Sequence, residues 1–499
     1  MKFEYNVFEP LNYLKQRVSE DWLIGYDSNQ FNYLVKEFLG KFTQLSLEGI
    51  PPKILLAESD PWRFLAAFIA AVAADCPVFL GNSNWVEREW EEVIDLVKPN
   101  LVLGKGIDLG ITEARNLCYG IGEDTITNNQ QLITNNQQSR IMIPTGGSSG
   151  KIRFAIHSWD TLMASVSGFH QYFDCKPINS FCVLPLHHVS GLMQFIRSLT
   201  TGGRFAILPF KALIAGEGRD INPSEFFISL VPTQLQKLLN AGAAEWLSRF
   251  QTVLLGGAAP WESLLEEARS YSIRLAPTYG MTETASQIVT LKPEAFLAGN
   301  NSSGQILPHA KVTICSNTGE ILGVNETGIV TIEADSLAVG YYPVEVKDKD
   351  NFSSHQSHIT ENNIKPTFQI PNLQSDDLGF FDSEGYLTIV SRRSHKIITG
   401  GENVFPAEVE AAILASQLVT DVCVVGLADS YWGEVVTAVY APNSPQVSSD
   451  LLQETITDKL CKFKHPKYWI PVEVLPRNSQ GKINYQEIKQ VALACLSKL

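Results

Sequence analysis

Residues 143–153 read IPTGGSSGKIR and place three small hydroxyl side chains, three glycines and two cations within eleven positions. Glycine frees the backbone to turn its N–H groups toward a polyanion, and hydroxyls and cations add donors, so the run could hold phosphate. A Walker loop would need G-x-x-x-x-G-K-[ST]. Here its first glycine position is Thr145 and Lys151 is followed by Ile152, so that pattern fails at both ends. What remains is an apolar strand, the loop, and AIHSWDTLMASVSGF (155–169), expected as an amphipathic helix. Alone, a Gly/Ser-rich connection is more often an ordinary surface loop.

Four further stretches follow in order: LLGGAAP (254–260), PTYGMTETASQ (277–287), DDLGFFDSEGYLTIVSRRSHKIITGGENVFPAEVE (376–410) and PRNSQGKINYQE (476–487). Taken singly, the first, second and fourth read as a tight turn, a core tyrosine with a helix-start Thr/Glu, and a solvated lysine. Together with the loop they resemble the adenylate-forming superfamily of acyl- and aryl-CoA ligases, luciferases and peptide-synthetase adenylation domains. The resemblance implies ATP, Mg²⁺ and coenzyme A as reactants and helpers. It also implies that the protein mainly aligns two mutually repelling anions and stabilises phosphoryl charge.

Residue by residue, the resemblance puts Thr145, Gly146, Gly147, Ser148, Ser149 and Gly150 over the β- and γ-phosphates, with Arg153 as the loop's cation. Relatives usually end this loop in Pro-Lys. An arginine there presents a planar fork instead of a point charge. Glu283 matches the Mg²⁺-holding carboxylate and Thr282 the α-phosphate contact, while Tyr279 and Gly280 lie beside adenine and Gly256, Gly257 and Ala258 permit close backbone approach. Asp377 matches the ribose-binding aspartate, preceded by Asp376 where glycine is usual, and Arg392 matches the nucleotide-contacting arginine. Lys482 matches the catalytic lysine between carboxylate and α-phosphate, although Tyr485 stands where an arginine often follows. Ser394 matches the pivot about which a C-terminal domain turns, bringing Gly400 and Gly401 to the pantetheine passage.

LPLHHVSGL (184–192), YGMTETASQIVTL (279–291) and the serine at the pivot are most similar to o-succinylbenzoate-CoA ligases of menaquinone and phylloquinone synthesis. That acid carries an aromatic ring and two carboxylates, one activated and one spectator, so it needs an apolar slot with polar groups at its far end. His188 is the candidate lining residue, also placed near the reacting phosphate; Ser190, Ser286 and Gln287 could donate hydrogen bonds. Arg197 is expected to be a structural or surface cation. A ligase for another aryl or medium-chain acid would share every nucleotide residue, and a noncatalytic AMP-binding sensor stays open. A peptide-synthetase module is disfavoured because YGMTETASQ lacks an evident amino-group aspartate.

The elements that must position these residues are legible as alternation. KILLA, CPVFL, NLVLG, FCVLPL, FAILPF, FFISLV and TVLLGG are short β-branched apolar runs separated by helical-period stretches, the sign of an α/β chain with strands covered on both faces. The resemblance adds a small β-barrel-like part to this large N-terminal domain. After GYLTIVSRR, the stretches PAEVEAAILAS, VTDVCVVGLAD and EVVTAVYAP predict a small α+β domain, which the resemblance implies is mobile, with domains at 1–391 and 392–499. The repeated ITNNQQ at 126–138 reads as a solvated loop, and 348–375 as an exposed insertion with a short strand.

Bulk properties limit the partners. The chain has 499 residues, 44% hydrophobic and 18% charged, enough for sizeable cores. A net charge of -14 opposes nonspecific binding to nucleic acid or anionic membrane, so any phosphate site must be built locally. FLAAFIAAVAA (64–74) is too short to cross a bilayer and reads as a buried helix. The N-terminus lacks the order of a secretory signal, and eight cysteines show no CxxC pair, which together point to the cytoplasm and reduced thiols. A homodimer is left open.

Overall fold

The computed structural model describes residues 9–47, 50–85, 87–104, 140–146, 152–257, 260, 262–343, 352–353, 372–392, 397–404, 406–416, 418–476 and 485–496. Its apolar runs become short central strands. Ile54–Leu56, Val78–Leu80 and Leu101–Leu103 are buried at every position, as strands covered on both faces must be. They belong to a six-stranded sheet ordered Gly340–Tyr342, Ile152–His157, Ile141–Gly146, Val78–Leu80, Ile54–Leu56, Leu101–Leu103. An eight-stranded sheet runs parallel from Leu23–Ile24 to Leu275–Met281, then adds Ser286–Thr290 and Gln305–Ile306 antiparallel.

Helices fill the space between these sheets. Pro61–Ala73 has every residue but Pro61 and Arg63 buried; Asp60 caps it by accepting from the Arg63 N–H, and proline takes the first turn, where no intrahelical N–H bond is lost. It shares one apolar cluster with Val189–Thr201 and with strands of both sheets. This is the buried helix expected from FLAAFIAAVAA, and among the described residues no helix is long and apolar enough to cross a membrane. Ala310–Cys315, Gly328–Ala334, Phe352–Ser353, Asn372–Phe381 and Leu387–Arg392 form a five-stranded antiparallel sheet where a barrel-like part was expected, and the short strand expected in the insertion is present.

The C-terminal domain is a separate five-stranded sheet. Val419–Asp429 and Gly433–Pro442 form its long hairpin, with one apolar cluster against Pro406–Leu414 and Ser449–Thr457 and another against Tyr485–Leu496. Its seat on the N-terminal part includes a buried ion cluster. Lys464 Nζ lies 2.7 Å from both Glu89 Oε1 and Glu408 Oε1, and Cys461 Sγ donates to Glu89 Oε2 at 2.6 Å. Burial alone would depress the Lys464 pKa; the two carboxylates more than reverse this and hold the ammonium charged.

The loop of residues 147–151 does not lead from strand to helix. Ile141–Gly146 and Ile152–His157 pair antiparallel, from Ile141 opposite His157 to Gly146 opposite Ile152, so the loop joins two strands of a hairpin. The helix begins only at Trp159, where Ser158 and Thr161 form a reciprocal cap. IRFAIH is β-branched and aromatic enough to continue the sheet, and the capping pair sets the later start. FCVLPL likewise contributes strand only through Cys182. Residues 147–150, Ala258, Ser394 and Lys482, together with the ITNNQQ repeats, lie outside the described residues.

Candidate active site

The carboxyl ends of the parallel strands open into a cavity of about 650 Å³, where ligands bind in open α/β sheets. Its walls come from Ile207–Phe210, Ser229–Val231, Gly256–Gly257 and Gly280–Glu283, from Thr145 on the hairpin, from Leu184–Ser190, and from Gly400–Glu402 of the C-terminal domain. The cavity thus gathers Thr145, His188, Ser190, Thr282, Glu283, Ser286 and Gln287, which span 143 positions of sequence, together with glycines 256, 257, 280, 400 and 401.

Glu283 is the best-defined polar group. Its Oε1 accepts from the Tyr341 hydroxyl at 2.8 Å and from Thr145 Oγ1 at 3.3 Å, and its backbone carbonyl accepts from the Ala338 N–H. Arg153 lies 4.2 Å over the Tyr341 ring, so the cation expected to serve the phosphate loop also packs the tyrosine that orients Glu283. The preceding Thr282 carbonyl accepts from His157 Nε2 at 2.8 Å, while Nδ1 lies 3.0 Å from Thr161 Oγ1. Burial lowers the His157 pKa to about 4, so the ring is a neutral strut. Neither Tyr341 nor His157 was singled out from sequence.

A single carboxylate flanked by threonine hydroxyls suits Mg²⁺, a hard ion that keeps waters and takes its other oxygens from substrate phosphates. Among the described residues, no three His, Cys, Asp or Glu side chains converge as a dedicated cage. Glu283 with Thr145 therefore fits an ion that arrives with a nucleotide.

Tyr279 and Asp377 form a second unit. The Tyr279 hydroxyl donates to Asp377 Oδ2 at 2.9 Å, and Asp377 is 4% exposed. Strand alternation turns the neighbouring Asp376 outward, so the aspartate in place of glycine changes the surface and not the buried position. Arg392 stands opposite Asp377 in the backbone register. Close strand approach accounts for Gly280: a Cβ there would lie 2.2 Å from the Ser286 carbonyl oxygen, at an irregularity in the Leu275–Met281 and Ser286–Thr290 pairing.

His188 heads the helix Val189–Thr201 without a capping side-chain bond, and its Nε2 lies 3.9 Å from Glu402 Oε2. Gly400 and Gly401 have φ of 60° and 86°, and a Cβ on Gly401 would meet Val231 Cγ2 at 2.5 Å. The paired glycines are what lets this turn sit against the N-terminal part.

Arg197 is not a surface cation. It is 3% exposed, lines the cavity, donates through Nη2 to Ser286 Oγ at 3.0 Å and Gln287 Oε1 at 2.9 Å, and lies 4.1 Å over Phe169. Its sequence signal was a polar stripe, Ser190–Gln194–Arg197, at helical spacing in an otherwise apolar helix.

Comparison with known proteins gives two family matches: AMP-binding enzyme over residues 49–342, and AMP-binding enzyme C-terminal domain over 408–482. The chain is similar to a 2-succinylbenzoate--CoA ligase of Geobacillus sp. (strain WCH70), 31% identical over 355 residues, which is 70% of this chain and 68% of that protein. Among solved structures it resembles a double mutant of o-succinylbenzoate CoA synthetase from Bacillus subtilis bound with its product analogue OSB-NCoA. That likeness has a TM-score of 0.79 at 23% identity and covers 96% of this chain and 98% of the other. The Bacillus subtilis synthetase in complex with ATP and magnesium ion gives a TM-score of 0.63 at 22% identity, covering 96% and 99%.

Proposed function

The chain belongs to the AMP-binding enzyme family, and on that footing we propose that it activates o-succinylbenzoate with ATP and transfers the acyl group to coenzyme A. A carboxylate oxygen of the acid attacks the α-phosphorus and pyrophosphate leaves; the coenzyme A sulfur then attacks the acyl carbon, AMP leaves with the bonding pair, and the thiol proton passes to solvent. The observation that carries this reading is the cavity itself, in which a carboxylate beside threonine hydroxyls faces the same space as a buried polar cluster and a glycine turn from the second domain.

The roles are those that the match to the family's motifs implies. Thr145 and Thr282 donate to phosphate oxygens, with the hairpin loop Gly146, Gly147, Ser148, Ser149 and Gly150 and Arg153 covering the departing pyrophosphate. Glu283 holds Mg²⁺, which when bound neutralises phosphate charge. Tyr279, Asp377 and Arg392 hold the nucleoside, with Gly256, Gly257, Ala258 and Gly280 keeping the backbone close. His188 and Ser190 line the acyl path. Lys482 bridges carboxylate and α-phosphate in the first step. We place the domain boundary at Arg392, the last residue of its strand, with Ser394 as pivot and the C-terminal domain mobile about it.

In the pose described, Gly400–Glu402 line the cavity, which suits the thioester step. The two Bacillus subtilis comparisons support that assignment: coverage is nearly equal, and the score falls for the complex with ATP and magnesium. None of the seven cysteines among the described residues is in a disulfide, which suits a cytoplasmic setting.

ATP–pyrophosphate exchange over a panel of carboxylic acids, followed by capture with coenzyme A, tests the reading. Strongest exchange and thioester formation with o-succinylbenzoate is expected. Silence with that acid and strong exchange with another aryl or medium-chain acid would replace the substrate; silence with all would favour a nucleotide sensor.

A further inference from the structure

Resting on that reading, we propose that the helix Glu87–Val97 couples the hairpin that carries the phosphate loop to the C-terminal domain. Glu89 and Glu92 are its positioning residues: Glu92 holds the backbone of Ile152 and Glu89, three residues earlier, holds Lys464. Seating the domain in the thioester pose and fixing the hairpin's second strand then favour each other.

On the hairpin side, Trp90, Val93 and Val97 share one apolar cluster with Phe154 and Ile156, and Ile152 packs against it. The Tyr342 hydroxyl donates to the Leu96 carbonyl at 3.2 Å, which ties the last turn of the helix to the strand beside Ile152–His157. That strand, Gly340–Tyr342, pairs with Phe154–Ile156 and stops two residues short of Ile152. The Ile152 N–H therefore needs an acceptor from elsewhere. Glu92 Oε1 accepts it at 3.1 Å. The bond requires a residue other than proline, the usual occupant of this place in relatives, because proline has no N–H to donate.

On the domain side, Glu89 is 4% exposed, and its two oxygens accept from Lys464 Nζ at 2.7 Å and Cys461 Sγ at 2.6 Å. Three residues along a helix bring Glu92 to the same face, ~4.5 Å further along the axis. Burial raises the Glu408 pKa, Lys464 opposes the rise, and the charges of Glu89 and Glu92 add to it, so Glu92 faces the domain seat as well as Ile152. When the domain turns away, Glu89 loses an ammonium and a thiol donor together. The backbone bonds of the helix carry any resulting shift of its first turn to Glu92 in the next. Coupling through one element is reciprocal, so loosening either tie weakens the other.

Hydrogen exchange reads the link without any substrate. In Lys464→Met the backbone amides of Ile152–His157 should exchange at least ~threefold faster than in wild-type protein, while those of Val419–Asp429, inside the C-terminal domain, stay within about twofold. Unchanged exchange at Ile152–His157 overturns the proposal, whatever acid the enzyme uses. Ile152→Pro cuts the other tie, and the first position of a strand tolerates proline. Thioester formation from preformed adenylate should slow about three- to tenfold, with pyrophosphate exchange within about twofold of wild type. Equal loss in both steps, or loss of pyrophosphate exchange alone, is what a bond that only shapes the hairpin would give, and overturns the proposal even if Lys464→Met fails to fold. Combined with Lys464→Met, Ile152→Pro should slow the thioester step by no more than about twofold beyond Lys464→Met alone, since the link is already cut; losses that multiply in full would mean two independent contacts and also overturn it. If the chain activates another acid, the substrate reading fails by itself and the same comparisons are made with that acid's adenylate; if it activates none, hydrogen exchange at Ile152–His157 decides.

Discussion

A tyrosine hydroxyl 2.8 Å from Glu283 leaves that carboxylate one oriented oxygen and one with no hydrogen bond to the described residues. Glu283→Gln should therefore cut adenylation by at least ~10², the scale of removing an aligned electrostatic group. Tyr341→Phe should cost only about three- to tenfold, chiefly as a raised Mg²⁺ requirement in pyrophosphate exchange, because it removes one orienting bond worth roughly 1 kcal/mol. Acid should loosen the same region. His157 and His309 have pKa values lowered to about 4 and His187 is lowered too, all first by burial. The unfolded chain then binds protons near pH 6.5 that the folded chain refuses, so stability falls as pH drops from about 6.5 and levels below 4. Thermal unfolding across that range should show the decline, and His157→Gln should flatten it. At this scale the sequence was readable where a motif carried the residue, as at Glu283 and Thr282. Tyr341 was not, since only the fold brings the Gly340–Tyr342 strand beside Ile152–His157.

Elements were legible where hydrophobic period and length agreed, as in the short buried strands and the helix Pro61–Ala73. The hairpin was misread because IRFAIH can serve either as strand or as the start of the amphipathic pattern after it; pairing with Ile141–Gly146 decides. The correction matters, because the phosphate loop has strand on both sides and no helix terminus at its end. The contacts between domains were invisible in sequence, being side-chain pairs hundreds of residues apart. Lys464→Met would leave Glu89 buried without its cation. We expect it to slow thioester formation from preformed adenylate about tenfold while sparing pyrophosphate exchange. Equal loss in both assays would mean that the Lys464 cluster supports general stability instead of this pose.

For the whole molecule, the account requires one cavity to serve two steps by exchanging which face of the C-terminal domain it meets. On the proposed roles, Lys482 and Gly401, 81 positions apart, serve different steps. A Cβ on Gly401 would collide with Val231 and require an unfavourable φ, so Gly401→Val should hinder the pose described here without touching the acid or nucleotide. Lys482→Ala should instead remove the cation needed while carboxylate and phosphate approach. The most direct measurement is a rapid-quench single turnover with o-succinylbenzoate, ATP and coenzyme A, in which acyl-adenylate and thioester are quantified in the same samples. The account predicts that Lys482→Ala slows the appearance of adenylate by at least ~10², whereas Gly401→Val makes adenylate at near the wild-type rate and accumulates it. Two variants that slow the same step to the same degree would contradict it.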